Sequence, residues 1–337
     1  MSLHQRCLQI PHRVKQELRF LFLAKHALGD GTPDREDGTH STYHHELLST
    51  LREIGLQVVA SDSFRSLYDQ AGYDFVISLY NRAGFRNSEM LAPLLTEQLR
   101  LPYLGGSAIV RGVTDDKHWM KRIAQSLCIR TPSWRYYPIG GLDTSPPAFR
   151  YRSLMVKPNA SSASWGILHT DQWSSAWRHV QSLHAQGHDV IVESYIDGFD
   201  VADPVVGSVR PWFLPIIAYR NEGPLRTYEQ KRDLIKSTTV HEPLPQDALF
   251  QRIRAASERI VTEIWPFDHG RFEYRVEHGT GKLYFIEANL NCNLWSKKTI
   301  SAAARQIGVS HAELVETIVC HSLLRQGLIA DAAVLAA

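Results

Sequence analysis

A chain of 337 residues, 44% of them hydrophobic, can bury more than one core, since single cores stop growing near roughly 250–300 residues. Its 37 Lys and Arg against 35 Asp and Glu leave a formal net charge of +2, with the basic residues scattered, which disfavours nucleic acid and membrane surfaces as partners. Cys7, Cys128, Cys292 and Cys320 lie far apart, with no C-x-x-C pair and no histidine at zinc-finger spacing, so a reduced, cytoplasmic compartment is expected. No apolar run is long enough to span a bilayer, and the short apolar patch at 20–24 reads as a buried strand, not a signal-peptide core.

The predicted elements open with a β-α-β unit, in which strands at 18–24 and 56–60 flank a loop and an amphipathic helix over 44–54. A third strand at 75–79 (FVISL) precedes a helix over 89–99, after which 101–106 (LPYLGG) returns to the sheet. A helix follows over 117–126, closed by 127–132, and 138–147 is a Pro/Gly-rich loop. Strands at 154–158 and 190–196 flank a helix over 174–185. Beyond 200 come several strands, a helix over 249–264, a hairpin and a helical end over 301–326. The class is α/β, more exactly α+β, with no internal repeat.

The hairpin is the most informative stretch. Residues 271–277 (RFEYRVE) and 283–289 (LYFIEAN) are strand-like runs joined by a turn-rich HGTGK. A turn centred on Thr280 sets Glu273 opposite Glu287 and Arg271 opposite Asn289. Because side chains alternate along a strand, these four share a face, while Phe272, Tyr274, Val276, Tyr284, Ile286 and Ala288 fill the other. Two carboxylates directly opposite each other repel and require a compensating cation. Two Glu and an Asn carbonyl make a hard-oxygen set suited to Mg2+, which usually shares its shell with substrate phosphates. On spacing alone, a solvated face neutralised by Arg271 and Arg275 explains the pattern equally.

Three further stretches could handle a nucleotide. Lys157 ends an apolar strand and is followed by Pro158 and a small, hydroxyl-rich loop, 159–166 (NASSASWG), that could fold over phosphates; a Ser-rich surface turn is the plain alternative. Residues 190–200 (VIVESYIDGFD) run from an apolar strand into a short connection that offers backbone groups to an adenine edge, with an acid for ribose hydroxyls, or form a plain buried strand and turn. Tyr228, Glu229, Gln230 and Lys231 add another lysine, in what could be a solvated loop. The chain has neither G-x-x-x-x-G-K-[ST] nor G-x-G-x-x-G after a strand, which disfavours Walker-type and dinucleotide folds.

In chain order these pieces resemble the ATP-grasp superfamily, and within it the D-alanine:D-alanine ligase-like branch, over residues 74–320. Asp115, Asp116 and Lys117, followed by 129–134 (IRTPSW), look like the family's lysine helix and its G-I-P-T-P turn. Lys157 and the flap ending at Gly166 and Ile167 are similar to its first ATP lysine and phosphate-covering loop. Residues 192–198 (VESYIDG) resemble the adenine hinge, with Asp200 at the ribose position, and 228–231 match Y-E-x-K. Arg271-x-Glu273 and Glu287-x-Asn289 match R-x-[DE] and E-x-N.

The resemblance implies three subdomains with ATP between two antiparallel sheets: a small Rossmann-like pre-ATP-grasp unit over 1–107, a central subdomain over 108–196, and a C-terminal one over 197–337 carrying the metal hairpin. It implies ATP held by Lys117, Lys157, Ser161, Ser162, Ser164, Glu193, Tyr195, Ile196, Asp200 and Lys231, and two Mg2+ ions on Glu273, Glu287 and Asn289. Arg271, Lys231 and Lys157 would assist phosphoryl transfer to a carboxylate, and an amine would displace phosphate from the acyl phosphate. A homodimer is implied by analogy alone.

The departures fall on substrate-facing positions. Where the dipeptide-forming ligases follow E-x-N with Pro-Gly and a serine, this chain has Asn291, Cys292 and Asn293, then Lys297 and Lys298, which suit an acidic substrate group or a solvated helix start. Residues 81–88 (NRAGFRNS), including Arg86, replace the family's H-G-x-x-G-E-D-G, Glu36 falls near its ammonium-binding glutamate, and Ala163 replaces one of two flap serines. Cys292 is expected to be a packed or substrate-lining thiol. The expected activity is an ADP-forming carboxylate-amine ligase making an amide bond, between molecules or within one, in specialised amino-acid or natural-product biosynthesis. The alternatives are a non-amine nucleophile, or a nucleotide-binding regulator without chemistry.

Overall fold

The computed structural model describes residues 7–33, 37–69, 72–80, 88–161, 164–207, 211–220 and 240–330. Three sheets organise it. In the first, β1 (Arg19–Leu23) is apolar and buried beyond its first residue, as a strand covered on both faces must be. It lies between β2 (Gln57–Ser61) and β3 (Phe75–Ser78), all parallel in the order β2-β1-β3. The expected return over 101–106 is a single parallel bridge from Tyr103 to Val76. The covering helix, His40–Glu53, starts four residues before the expected 44, and Tyr43, Leu47, Leu48 and Leu51 form its buried stripe.

The second sheet is antiparallel and contains β4 (Trp134–Tyr137), β5 (Leu154–Pro158), β6 (Leu168–Thr170) and β7 (Val190–Ser194) in the order β4-β7-β5-β6. The helix Trp173–Ala185 packs Ala176, Val180 and Leu183 against Leu154, Val156, Val190 and Val192. The third, also antiparallel, contains β8 (Gly198–Val206), β9 (Trp212–Phe213), β10 (Ile217–Arg220), β11 (Val240–Pro243), β12 (His269–Glu277) and β13 (Leu283–Asn289). Its order is β11-β10-β8-β12-β13, with β9 on β8, and the helix Ala248–Glu263 covers one face.

Three differences from the sequence expectation have local causes. The helical end is two helices, Thr299–Arg305 and His311–Arg325, because Gly308 turns at φ +77 and Ser310 and Glu313 form a reciprocal capping box that restarts the chain. The helix Ala108–Asp115 was not expected; Ser107 Oγ caps it by accepting from Val110 N at 3.3 Å. β4 was not expected either, since its residues pair with β7 while only Tyr137 is buried.

The C-terminal helices join the core of the first sheet: Leu314, Ile318 and Leu323 pack in one cluster with Phe20, Phe22 and Phe75. A buried carboxylate fastens this junction. Asp268, fully buried, accepts from Gly105 N (2.6 Å), Ser322 Oγ (2.6 Å), and Arg325 Nε (2.8 Å) and Nη2 (2.9 Å). Removing one partner of such a pair strands the other, so Asp268→Ala should cost about 3–5 kcal/mol in denaturant unfolding, and a loss below about 1 kcal/mol would contradict this role.

Candidate active site

The second and third sheets face each other across an open cleft of about 810 Å³, a volume that includes the solvent at its mouth. Its lining combines Lys117, Met155, Lys157, Ser161, Ser164, Glu193, Tyr195, Ile196 and Asp200 with Glu273, Arg275, Ile286 and Glu287. A smaller cavity, lined by Glu89, Thr114, Asp115 and Asn289, adjoins it at Lys117, Ser161 and Glu287.

The hairpin forms in the expected register at its functional end: Glu273 pairs with Glu287 and Arg271 with Asn289. Toward the turn the register shifts, Tyr274 pairing with Phe285, so Ile286 has no opposite residue and forms a β-bulge. The extra residue corrects the expected apolar face. Phe285 enters the core, its ring 5.6 Å from that of Tyr274, while Tyr284 sits half-buried beside Arg130 and Ile286 turns to the cleft. Arg271 Nε donates to Glu273 Oε1 at 2.7 Å, and Lys117 Nζ lies 3.8 Å from Glu287 Oε2. These cations offset the repulsion that two facing carboxylates create.

The lysine helix is pinned at its start. Asp116 Oδ1 caps Lys117–Ser126 by accepting from Trp119 N (2.9 Å), and Asp116 Oδ2 accepts from Asn159 Nδ2 (2.7 Å). Asn159 returns two bonds, its Oδ1 accepting from His118 N (2.9 Å) and its carbonyl from Lys117 N (3.1 Å). Lys117 is thereby fixed over the flap, where its Nζ donates to Ser161 O at 2.6 Å. At the flap's other end, Gly166 has φ +69, and a Cβ there would lie 2.9 Å from Pro158 Cγ, so glycine is required for close packing. Ser164 lines the cleft, whereas Ser162 lies outside the described residues.

Beneath the flap, Glu193 is buried between two lysines. Lys157 Nζ is bonded to Glu193 Oε1, and Lys121 Nζ lies 2.7 Å from Oε2 and donates to Thr131 Oγ1 at 2.8 Å. Burial alone would raise the Glu193 pKa, but Lys121 and Lys157 hold it down to about 2. Beyond β7 the hinge is clamped by Arg275, whose Nε donates to Ile196 O (2.6 Å), Nη1 to Asp200 Oδ1 (2.7 Å) and Nη2 to Tyr195 Oη (3.2 Å). Tyr195 N donates to Ser153 O at 3.0 Å. Two hinge groups expected to be free are therefore already engaged, the Ile196 carbonyl by the guanidinium that β12 brings across the connection and the Tyr195 N–H by the Ser153 carbonyl just before β5.

The substrate candidates are less convergent. Asn291, Asn293, Lys297 and Lys298 line neither cavity. Asn293 Oδ1 accepts from Trp295 N at 2.7 Å, and the ammonium groups of Lys297 and Lys298 lie 5.2 and 5.5 Å from the Trp295 ring. Cys292 is buried, and burial pushes its thiol up to about 11, consistent with the packed role. Glu36, Arg86, Tyr228 and Lys231 lie outside the described residues. Sequence reasoning missed Lys121, the hinge role of Arg275, and the smaller cavity's Glu89 and Asp115. For Lys121 a signal existed, since it stands four residues after Lys117 on the same helix face.

This architecture is the ATP-grasp fold. The crystal structure of D-alanine--D-alanine ligase from Bacillus anthracis complexed with ATP covers 92% of this chain, and 99% of that chain is covered, at a TM-score of 0.71 and 19% identity. The profile described as "D-ala D-ala ligase C-terminus" matches residues 148–320, half of the sequence, and the chain belongs to that family. The D-alanine--D-alanine ligase of Aquifex aeolicus is 25% identical over 273 residues, covering 80% of this chain and 90% of that protein. The ligase of the same name from Ralstonia nicotianae is 24% identical over 278 residues, covering 80% and 82%. The protein is an ATP-dependent ligase, which removes the reading as a regulator without chemistry.

The Glu193 charge has a consequence for acid stability. A carboxylate whose folded pKa is depressed contributes stability that is fully present above its unfolded value, roughly 4.3, and is lost as pH falls toward about 2. The stability gap between the native protein and Glu193→Gln, from denaturant unfolding at about pH 5 and about pH 2.5, should narrow on acidification. A gap that stays constant would contradict the assignment.

Proposed function

We propose that the enzyme activates a substrate carboxylate with ATP as an acyl phosphate and couples it to an amine, releasing ADP and phosphate. The observation that carries this is the Glu273 and Glu287 pair, cross-compensated by Arg271 and Lys117 and lining the cleft, with Glu287 also lining the second cavity. A carboxylate is a poor electrophile. Its oxygen attacks the γ-phosphorus as the bond to ADP breaks; the amine then attacks the carbonyl carbon, the C–O bond to phosphate breaks, and the amine loses a proton. The first step needs alignment and positive charge more than covalent help from the protein.

In this reading Lys117, Lys157 and Lys231 bind the phosphates beneath the flap of Ser161, Ser162 and Ser164, and Arg271 meets the transferring group. Glu193, Tyr195, Ile196 and Asp200 surround the nucleoside. The donors on the hairpin fit magnesium: two opposed carboxylates and an amide are hard oxygen ligands, although among the described residues no three His, Cys, Asp or Glu side chains converge. Glu273, Glu287 and Asn289 would hold two such ions, which when bound neutralise phosphate charge. The three subdomains proposed are 1–107, 108–196 and 197–337.

Substrate choice is proposed to differ from that of the dipeptide ligases. Asn291, Cys292 and Asn293 replace the Pro-Gly turn, which supports a different amino acid or small metabolite as substrate in a specialised cytoplasmic pathway, whereas Lys297 and Lys298, set against Trp295 outside both cavities, lend no support to an acidic substrate group. Joining within one molecule is favoured where the amine and acyl phosphate are held together, since proximity then replaces a second binding event. Release of ADP and phosphate across a panel of amino acids should depend on the carboxylate offered. Glu287→Gln should lower turnover about 100-fold or more while ATP still binds. ADP release indifferent to every carboxylate would overturn the proposal.

A further inference from the structure

Lys121 lines neither cavity, yet it is a cation only 1% exposed, one helical turn beyond Lys117. Taking an ammonium out of water costs several kcal/mol, and an apolar side chain could fill the same space more cheaply. Its partners show where that charge is used. Lys121 Nζ lies 2.7 Å from Glu193 Oε2, donates to Thr131 Oγ1 at 2.8 Å and sits 5.5 Å from the centre of the Trp134 ring. The other oxygen of Glu193 holds Lys157, and both Glu193 and Lys157 line the cleft. One buried carboxylate therefore carries two ammonium groups, of which only Lys157 also lines the cleft.

We infer that Lys121 is a positioning residue that keeps Glu193 compensated while Lys157 turns its ammonium from Glu193 to a nucleotide phosphate. The inference rests on the proposal that ATP binds this cleft. Without Lys121, the movement of Lys157 would strand a buried carboxylate close to anionic phosphates. Lys157 would then stay on Glu193, and phosphate binding would weaken. With Lys121 present, the pair that remains is neutral, and the positive charge of Lys157 is available. No proton needs to move.

The handover acts on phosphate and not on the nucleoside, which separates it from a purely structural role. The probes are ATP with magnesium and adenosine, each titrated by displacement of a fluorescent ATP analogue from the full-length protein. In Lys121→Met the preference for ATP over adenosine should fall roughly tenfold or more, about the value of one charge-assisted contact. Adding Glu193→Gln should restore that preference, because no carboxylate is left to strand, and Lys121→Arg should retain it. Equal weakening of both ligands, or no rescue in the double variant, would overturn the inference. Should Lys121→Met not fold, Thr131→Val replaces it, with a smaller fall in the same ratio expected and an unchanged ratio contradicting it. Failure of the native protein to bind ATP would overturn the nucleotide reading itself, whereas native binding with an unmoved ratio would overturn only the role of Lys121.

Discussion

Two carboxylates facing each other on neighbouring antiparallel strands are a standing electrostatic cost, and the active region is built around meeting it. Directly opposite positions bring Cβ atoms to roughly 4.5–5.5 Å, close enough for like charges to destabilise the pairing. Glu273 and Glu287 occupy such positions, and the fold delivers Arg271 from the same strand and Lys117 from a helix of a different segment. Lys117 reaches that place because Asp116 and Asn159 lock the helix start to the end of β5. The lock and the acid pair thus depend on each other across the cleft.

The same charge logic extends through the cleft wall. Lys121 and Lys157 flank Glu193, and Arg275 holds Asp200 together with the hinge carbonyl of Ile196. Each acid already has a cation, and the lysines exceed the acids they serve at Glu193. A cleft poised in this way suits an anionic ligand that exchanges places with internal partners. It also suits hard cations, which would take over the compensation that Arg271 and Lys117 provide to the hairpin.

Much of this was legible in the residue order, for identifiable reasons. The pairings of Glu273 with Glu287 and Arg271 with Asn289 follow from strand alternation with its period of two, whereas the pairing beside the turn is displaced by one residue from one centred on Thr280, and the bulge at Ile286 restores the expected pairing beyond it. The helix Lys117–Ser126 was placed to the residue because Asp116 is a strong N-cap. The bulge at Ile286 could not be read, since one extra residue leaves no mark in composition and shows itself only when both strands are paired. The hinge role of Arg275 was illegible for another reason, since a charged residue on a strand reads as solvated until tertiary contacts reveal its partner, whereas Lys121 was marked by its spacing from Lys117 and only its partner Glu193 was hidden. Lys297 and Lys298 are the converse case, conspicuous in sequence yet set against Trp295 and outside both cavities.

The fold places the acid pair, the flap and the hinge around one cleft, and the central claim is that they enclose a triphosphate with its cations. A crystal structure of the protein with magnesium and a non-hydrolysable ATP analogue tests this most directly. The account predicts the adenine beside Tyr195 and Ile196, the phosphates under Lys117 and Lys157, and metal density between the analogue and Glu273, Glu287 and Asn289. Nucleotide bound elsewhere, with those three side chains turned to bulk solvent, would contradict it.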